Sequence, residues 1–107
     1  MANRYRGEID AVLDGRTYTL CLTLGALAHL EEAFESENLT ALTQRFSSGA
    51  LSAQDLLRIV GAGLRGGGHD ISDAELATMQ AEGGAVGFVR IASELLSVTF
   101  GASNGDG

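Results

Sequence analysis

The sequence predicts an α+β fold, with an N-terminal β-hairpin packed on a mainly helical domain of four to five short helices. Three observations predict it. Residues 8–22 alternate with period two around Asp14-Gly15, later stretches space their apolar residues at 3–4, and 107 residues supply one core. Residues 1–100 are therefore read as a single domain, and 101–107, "GASNGDG", as a disordered tail with nothing to bury.

The hairpin comes first. Asp-Gly favours the two-residue type I′ turn, and a turn at Asp14-Gly15 pairs Leu13 with Arg16, Ala11 with Tyr18 and Ile9 with Leu20. Those residues and Leu22 share one face. Glu8, Asp10, Val12, Thr17, Thr19 and Cys21 share the other, so one side lies on a core and the other is wet.

Helices follow. Thr23 is placed to cap one over about residues 24–36, with Leu24, Leu27, Leu30 and Phe34 as its apolar stripe. Asn38 caps a second, with Leu39, Leu42 and Phe46 inward and Gly49 as its stop. Ser52 opens a third, "SAQDLLRIVGAGL", with Asp55 complementing the dipole of its first turn. The spacing of Ser72 and Glu75 makes a capping box for a fourth, ending near Gln80. Beyond the break at Gly83-Gly84, "AVGFVRIASELLSVTF" reads as a longer helix over 85–100.

Charge excludes several classes of function. Seven arginines and no lysine stand against fourteen acids, a net charge of -7, so no basic patch exists for a phosphate backbone and nucleic acid is not an expected partner. The missing lysine removes the P-loop and Schiff-base chemistries. No stretch approaches the roughly 20 apolar residues that cross a bilayer, so no membrane association is expected. The polar start "MANRYRGEID" does not read as a signal peptide, and the lone Cys21 cannot pair within the chain; a cytoplasmic location follows as the expectation. Cys21 itself is read as a small buried hydrophobe.

"GAGLRGGGHD" carries the letters G-x-G-x-x-G in Gly61, Gly63 and Gly66. A dinucleotide loop needs those glycines between a strand and a helix N-terminus, whereas the residues before Gly61 are helical, so the dipole at that end repels phosphate. The stretch reads as a helix terminus with Gly66 to Gly68 as the break, and Gly61 and Gly63 suggest a neighbouring backbone passing close. Two histidines and one cysteine give no complete metal set; His29 with Glu32 and His69 with Asp70 are fragments only. No nucleophile elbow occurs. Neither catalytic residues, nor a cofactor, nor a small-molecule substrate is expected.

Two surfaces remain as candidates for partner binding. Glu31, Glu32 and Glu35 crowd like charges at a helix C-terminus, where they either meet an internal arginine or solvent, or dock a basic segment. On the last helix, apolar residues spread over more than half the wheel, leaving Arg90, Ser93, Glu94 and Ser97 as the polar strip. That helix is either central or partnered through Phe88, Ile91, Leu95 and Val98.

"NRYRGEIDAVLDGRTYTLCLTLGALAHLEEAF" and "LSAQDLLRIVGAGLRGGGHDIS" resemble the small protein encoded between the major tail protein and the tape-measure protein in gene transfer agents and siphophage-like prophages. The resemblance covers about residues 3–100, and its most specific pieces are "LTLGALAHLE" and "GAGLRGGGHD". It implies a tail assembly chaperone that binds tape-measure and major tail (tail tube) proteins, acts as a homo-oligomer where multivalency is needed, and is absent from the finished particle. The alternative is a structural subunit of the tail tube, retained in the particle. The family carries no catalytic residues, so the resemblance implies a non-enzymatic protein.

Overall fold

The computed structural model describes residues 3–33 and 52–100. Within them a short 3-10 helix at Arg4–Arg6 leads into strands β1 (Glu8–Leu13) and β2 (Arg16–Cys21), followed by helices α1 (Leu24–Ala33), α2 (Ala53–Gly66), α3 (Asp73–Leu76) and α4 (Ala85–Phe100). The fold is α+β, an antiparallel hairpin against four helices.

The hairpin has the register that Asp14-Gly15 dictates, with Leu13 opposite Arg16, Ala11 opposite Tyr18 and Ile9 opposite Leu20. Both turn residues have positive φ, +52° at Asp14 and +74° at Gly15, as the mirror-image turn requires. A second anchor holds the turn. The Asp14 N–H donates to the Gln80 carbonyl at 2.8 Å, the Gln80 N–H donates to Asp14 Oδ1 at 2.9 Å, and Leu13 bridges to Ala81.

Ile9, Ala11, Leu13, Leu20 and Leu22 point into the core, where Ile59, Val60 and Leu64 of α2, Leu76 of α3 and Ala92, Leu95 and Leu96 of α4 meet them. Each fully buried Leu or Ile contributes about 1.5–3 kcal/mol by leaving water. Helix α2 sits at the centre, packed on β2, α1, α3 and α4.

Caps explain where the helices start. Thr23 Oγ1 accepts from the Ala26 N–H at 3.1 Å at the head of α1. Ser52 and Asp55 exchange hydrogen bonds at 3.1 and 3.0 Å ahead of α2, and Ser72 and Glu75 do so at 3.1 and 3.2 Å ahead of α3. Gly83 and Gly84, with φ of +86° and +63°, turn the chain into α4.

Several expectations are corrected. Gly61 and Gly63 lie within helix α2 as read, but the helix runs on to Gly66, so the break begins at Gly67 instead of Gly66. It ends in a Schellman motif: the Gly68 N–H bonds to the Arg65 carbonyl, the His69 N–H to that of Leu64, and Gly68 has φ +95°. The close backbone approach falls on Gly66 and Gly67 instead of Gly61 and Gly63, whose neighbours are side chains. Helix α3 stops at Leu76, four residues short of Gln80, because Gln80 and Ala81 leave to pair with the hairpin turn. On α1, Ala26 and Leu30 are buried while Leu24 is 85% exposed, since Leu24 lies more than a right angle around the wheel from the face that meets α2. Phe34 and the Asn38 helix lie outside the described residues.

Candidate interaction surface

The last helix divides its apolar residues between two tasks. Ile91, Ala92, Leu95 and Leu96 form the inward face. Two of the four apolar partner candidates on this helix, Ile91 and Leu95, are thus core residues, Leu95 being completely inaccessible, so they present no surface to a partner in this fold. Phe88 and Val98 are half-buried at the core's margin, and Val86 and Val89 are exposed at 67% and 43%.

Phe88 also lines an apolar cleft of about 220 Å³ between α2, the turn after α3 and the start of α4. Ala53, Leu56, Leu57, Leu76, Ala77, Met79 and Ala85 complete its wall. The adjacent pair Leu56-Leu57 forms part of this wall: Leu56 continues the face of Ile59 and Val60 by one turn, Leu57 lies about 100° further round, and both are only partly buried.

Glu31 and Glu32 are exposed on α1, and Glu35 lies outside the described residues. Arg65 of α2 is held within the fold, its Nη1 donating to Asp73 Oδ1 at 3.0 Å and to the Ile71 carbonyl at 2.9 Å. Both side chains are more than 40% exposed, so the ion pair is worth about 0–1 kcal/mol.

A second, open cleft of about 550 Å³ lies beside the hairpin turn, lined in part by Asp14, Arg16, Tyr18, His69, Asp70 and Glu75. The carboxylates of Asp14 and Glu75 are already engaged, with the Gln80 and Ser72 N–H groups. His69 accepts from the Thr19 N–H at 3.3 Å and meets the Tyr18 ring edge-on at 5.0 Å. No group of three or more His, Cys, Asp or Glu able to hold a metal is formed among the described residues.

Cys21 corrects its expected placement. It is half-buried on the outer face of the hairpin, its Sγ donating to the Arg6 carbonyl at 3.8 Å. Burial, with a smaller push from Glu8 and a counter-pull from Arg6, raises its pKa above the ordinary thiol value. The thiol form dominates at neutral pH, which is the opposite of what a nucleophilic cysteine needs.

The G-x-G-x-x-G letters have their amides inside a helix and end in its C-terminal motif, where the dipole is negative, so they form no phosphate cradle. Among the described residues no helix is long and apolar enough to cross a membrane.

No curated protein and no solved structure matches the chain. A family profile described as "Phage tail tube protein, GTA-gp10" matches residues 6–102, spanning the hairpin, all four helices and both candidate surfaces. With a phage-tail family aligned over nearly its whole length, the chain belongs to the phage tail tube protein family of gene transfer agents.

Proposed function

We propose that the protein is a non-enzymatic tail assembly chaperone, which binds the tape-measure protein and the major tail protein while a phage-like tail is built in the cytoplasm, and which leaves before the particle is finished. The observation that carries this reading is the distribution of its surface. The one sheet among the described residues is a two-stranded hairpin whose inner face is consumed by the core, whereas apolar area on α4 and in the α2–α4 cleft stays uncovered by the described residues. A tube subunit builds a continuous β-rich wall; a chaperone for a long amphipathic helix needs an apolar groove, and self-association of the chain adds multivalency.

The family description favours a second reading, a structural subunit retained in the tail tube. Mass spectrometry of purified particles separates the two. Absence from particles, together with co-purification of the tape-measure protein from assembling cells, supports the chaperone; stoichiometric presence in particles replaces it with the tube subunit.

A further inference from the structure

We propose that His69 is a proton-sensitive staple, which in its neutral form fastens the outer edge of β2 to the turn that ends α2 and lets go when protonated. This goes beyond the assembly role and does not depend on it.

The backbone fixes where the imidazole sits. Gly68 at φ +95° reverses the chain after α2, the His69 N–H donates to the Leu64 carbonyl at 3.0 Å, and the Ile71 N–H donates to the His69 carbonyl at 3.0 Å. The ring is thereby held against β2, where Tyr18 supports it edge-on at an interplanar angle of 86°. Thr19, opposite Asp10 in the register, turns its N–H away from β1 and donates to Nε2 of His69 at 3.3 Å. An imidazole nitrogen accepts only through an unprotonated lone pair, so this contact requires the tautomer with its proton on Nδ1.

Protonation puts a second N–H where the acceptor was. Two donors then face each other, and the strand N–H loses its partner. The open cleft beside the ring gives the cation somewhere to go. Asp14 and Arg16 face it from the hairpin, Tyr18 from β2, Asp70 from the chain next to His69, and Glu75 from α3, three carboxylates against one guanidinium. Release leaves the Thr19 N–H without its acceptor and open to exchange, while the Gly66 and Gly67 backbone still lies against this edge of β2.

Nitrogen-15 NMR of the full chain across a pH titration tests the staple. The neutral form of His69 is expected to be unprotonated at Nε2, with exposed His29 as the internal reference. As pH falls through the His69 titration, exchange of the Thr19 amide, scaled to its intrinsic rate at each pH, is expected to speed up about tenfold, while the Leu20 amide facing β1 does not change. His69→Gln, an acceptor that does not titrate, keeps Thr19 protected at every pH, and His69→Phe loses the protection at every pH. A neutral His69 protonated at Nε2, or a Thr19 amide whose exchange ignores the His69 titration, overturns the proposal; both readouts come from the unaltered protein and do not require either variant to fold.

Discussion

Gly66 lies beneath the carbonyl of Cys21: a Cβ added at Gly66 would collide with that oxygen and stand 3.1 Å from the carbonyl carbon and 3.4 Å from the Thr23 nitrogen. Gly67 stands in the same relation to Thr19. The last turn of α2 thus presses its backbone onto the outer edge of β2, which only residues without a side chain permit. Every atom in the way of Gly66 is backbone, so no rotamer change relieves the clash.

Gly66→Ala is therefore expected to lower stability by about 3 kcal/mol, seen as a reduced urea midpoint at unchanged m value. Gly61→Ala is the informative comparison. There the added methyl meets Asp73 Oδ1 and the guanidinium of Arg65, the ends of two exposed side chains that can swing away, and alanine recovers about 1 kcal/mol of helix propensity. Its stability should stay within about 1 kcal/mol of the parent. Equal losses in the two variants would refute the close approach at Gly66.

The hairpin turn yields a second prediction. Asp14 combines a positive φ with a carboxylate that accepts from Gln80, so Asp14→Ala loses a favourable left-handed residue and the bond that holds Gln80 to the hairpin. A loss of about 2 kcal/mol is expected in chemical denaturation. Asparagine tolerates the same backbone and still presents an oxygen, so Asp14→Asn should recover most of that loss.

These two sites show which parts of the fold can be read from the chain. The register, the Thr23 and Ser72 caps and the Gly83-Gly84 break are legible because each rests on chemistry within four residues of itself. The early end of α3 and the exposure of Leu24 are not, because distant partners decide them: the Asp14 carboxylate draws off Gln80, and α2 chooses which side of α1 to bury. The glycine motif is legible as helical in context, but which glycine touches backbone depends on where β2 lies. On α4, the wheel predicts an apolar surplus correctly and cannot say which residues the core takes, so Ile91 and Leu95 go inside while Val86 and Val89 stay out.

Alkaline pH should destabilise the protein through Cys21. Its folded pKa is raised, chiefly by burial, so the folded state prefers the neutral thiol, and that contribution is complete below the unfolded thiol's pKa of about 8.5. It fades as pH rises through the higher folded value. Denaturation midpoints measured from pH 7 to 10 should decline, and Cys21→Ala should flatten the part of the decline due to this group. A thiol-specific alkylating reagent should react with Cys21 more slowly than with free cysteine at pH 8; faster reaction would contradict the raised pKa.

The division of labour on α4 predicts a separation between folding and binding. Leu95→Ala empties a wholly buried position against β1, β2 and α2, and should cost about 3–4 kcal/mol, with any loss of binding following from unfolding. Val86→Ser with Val89→Ser removes apolar area from two residues already 67% and 43% exposed, and should change stability by no more than about 1 kcal/mol, since surface positions carry little of the folding energy. If α4 and the cleft beside Phe88 hold a helical client, this double variant should fold normally, by circular dichroism and urea midpoint, and bind the tape-measure protein at least tenfold more weakly in a pull-down titration. Binding unchanged by the double variant would remove the outer face of α4 from the interface and leave the cleft lined by Leu56, Leu57 and Met79 to be tested in its place.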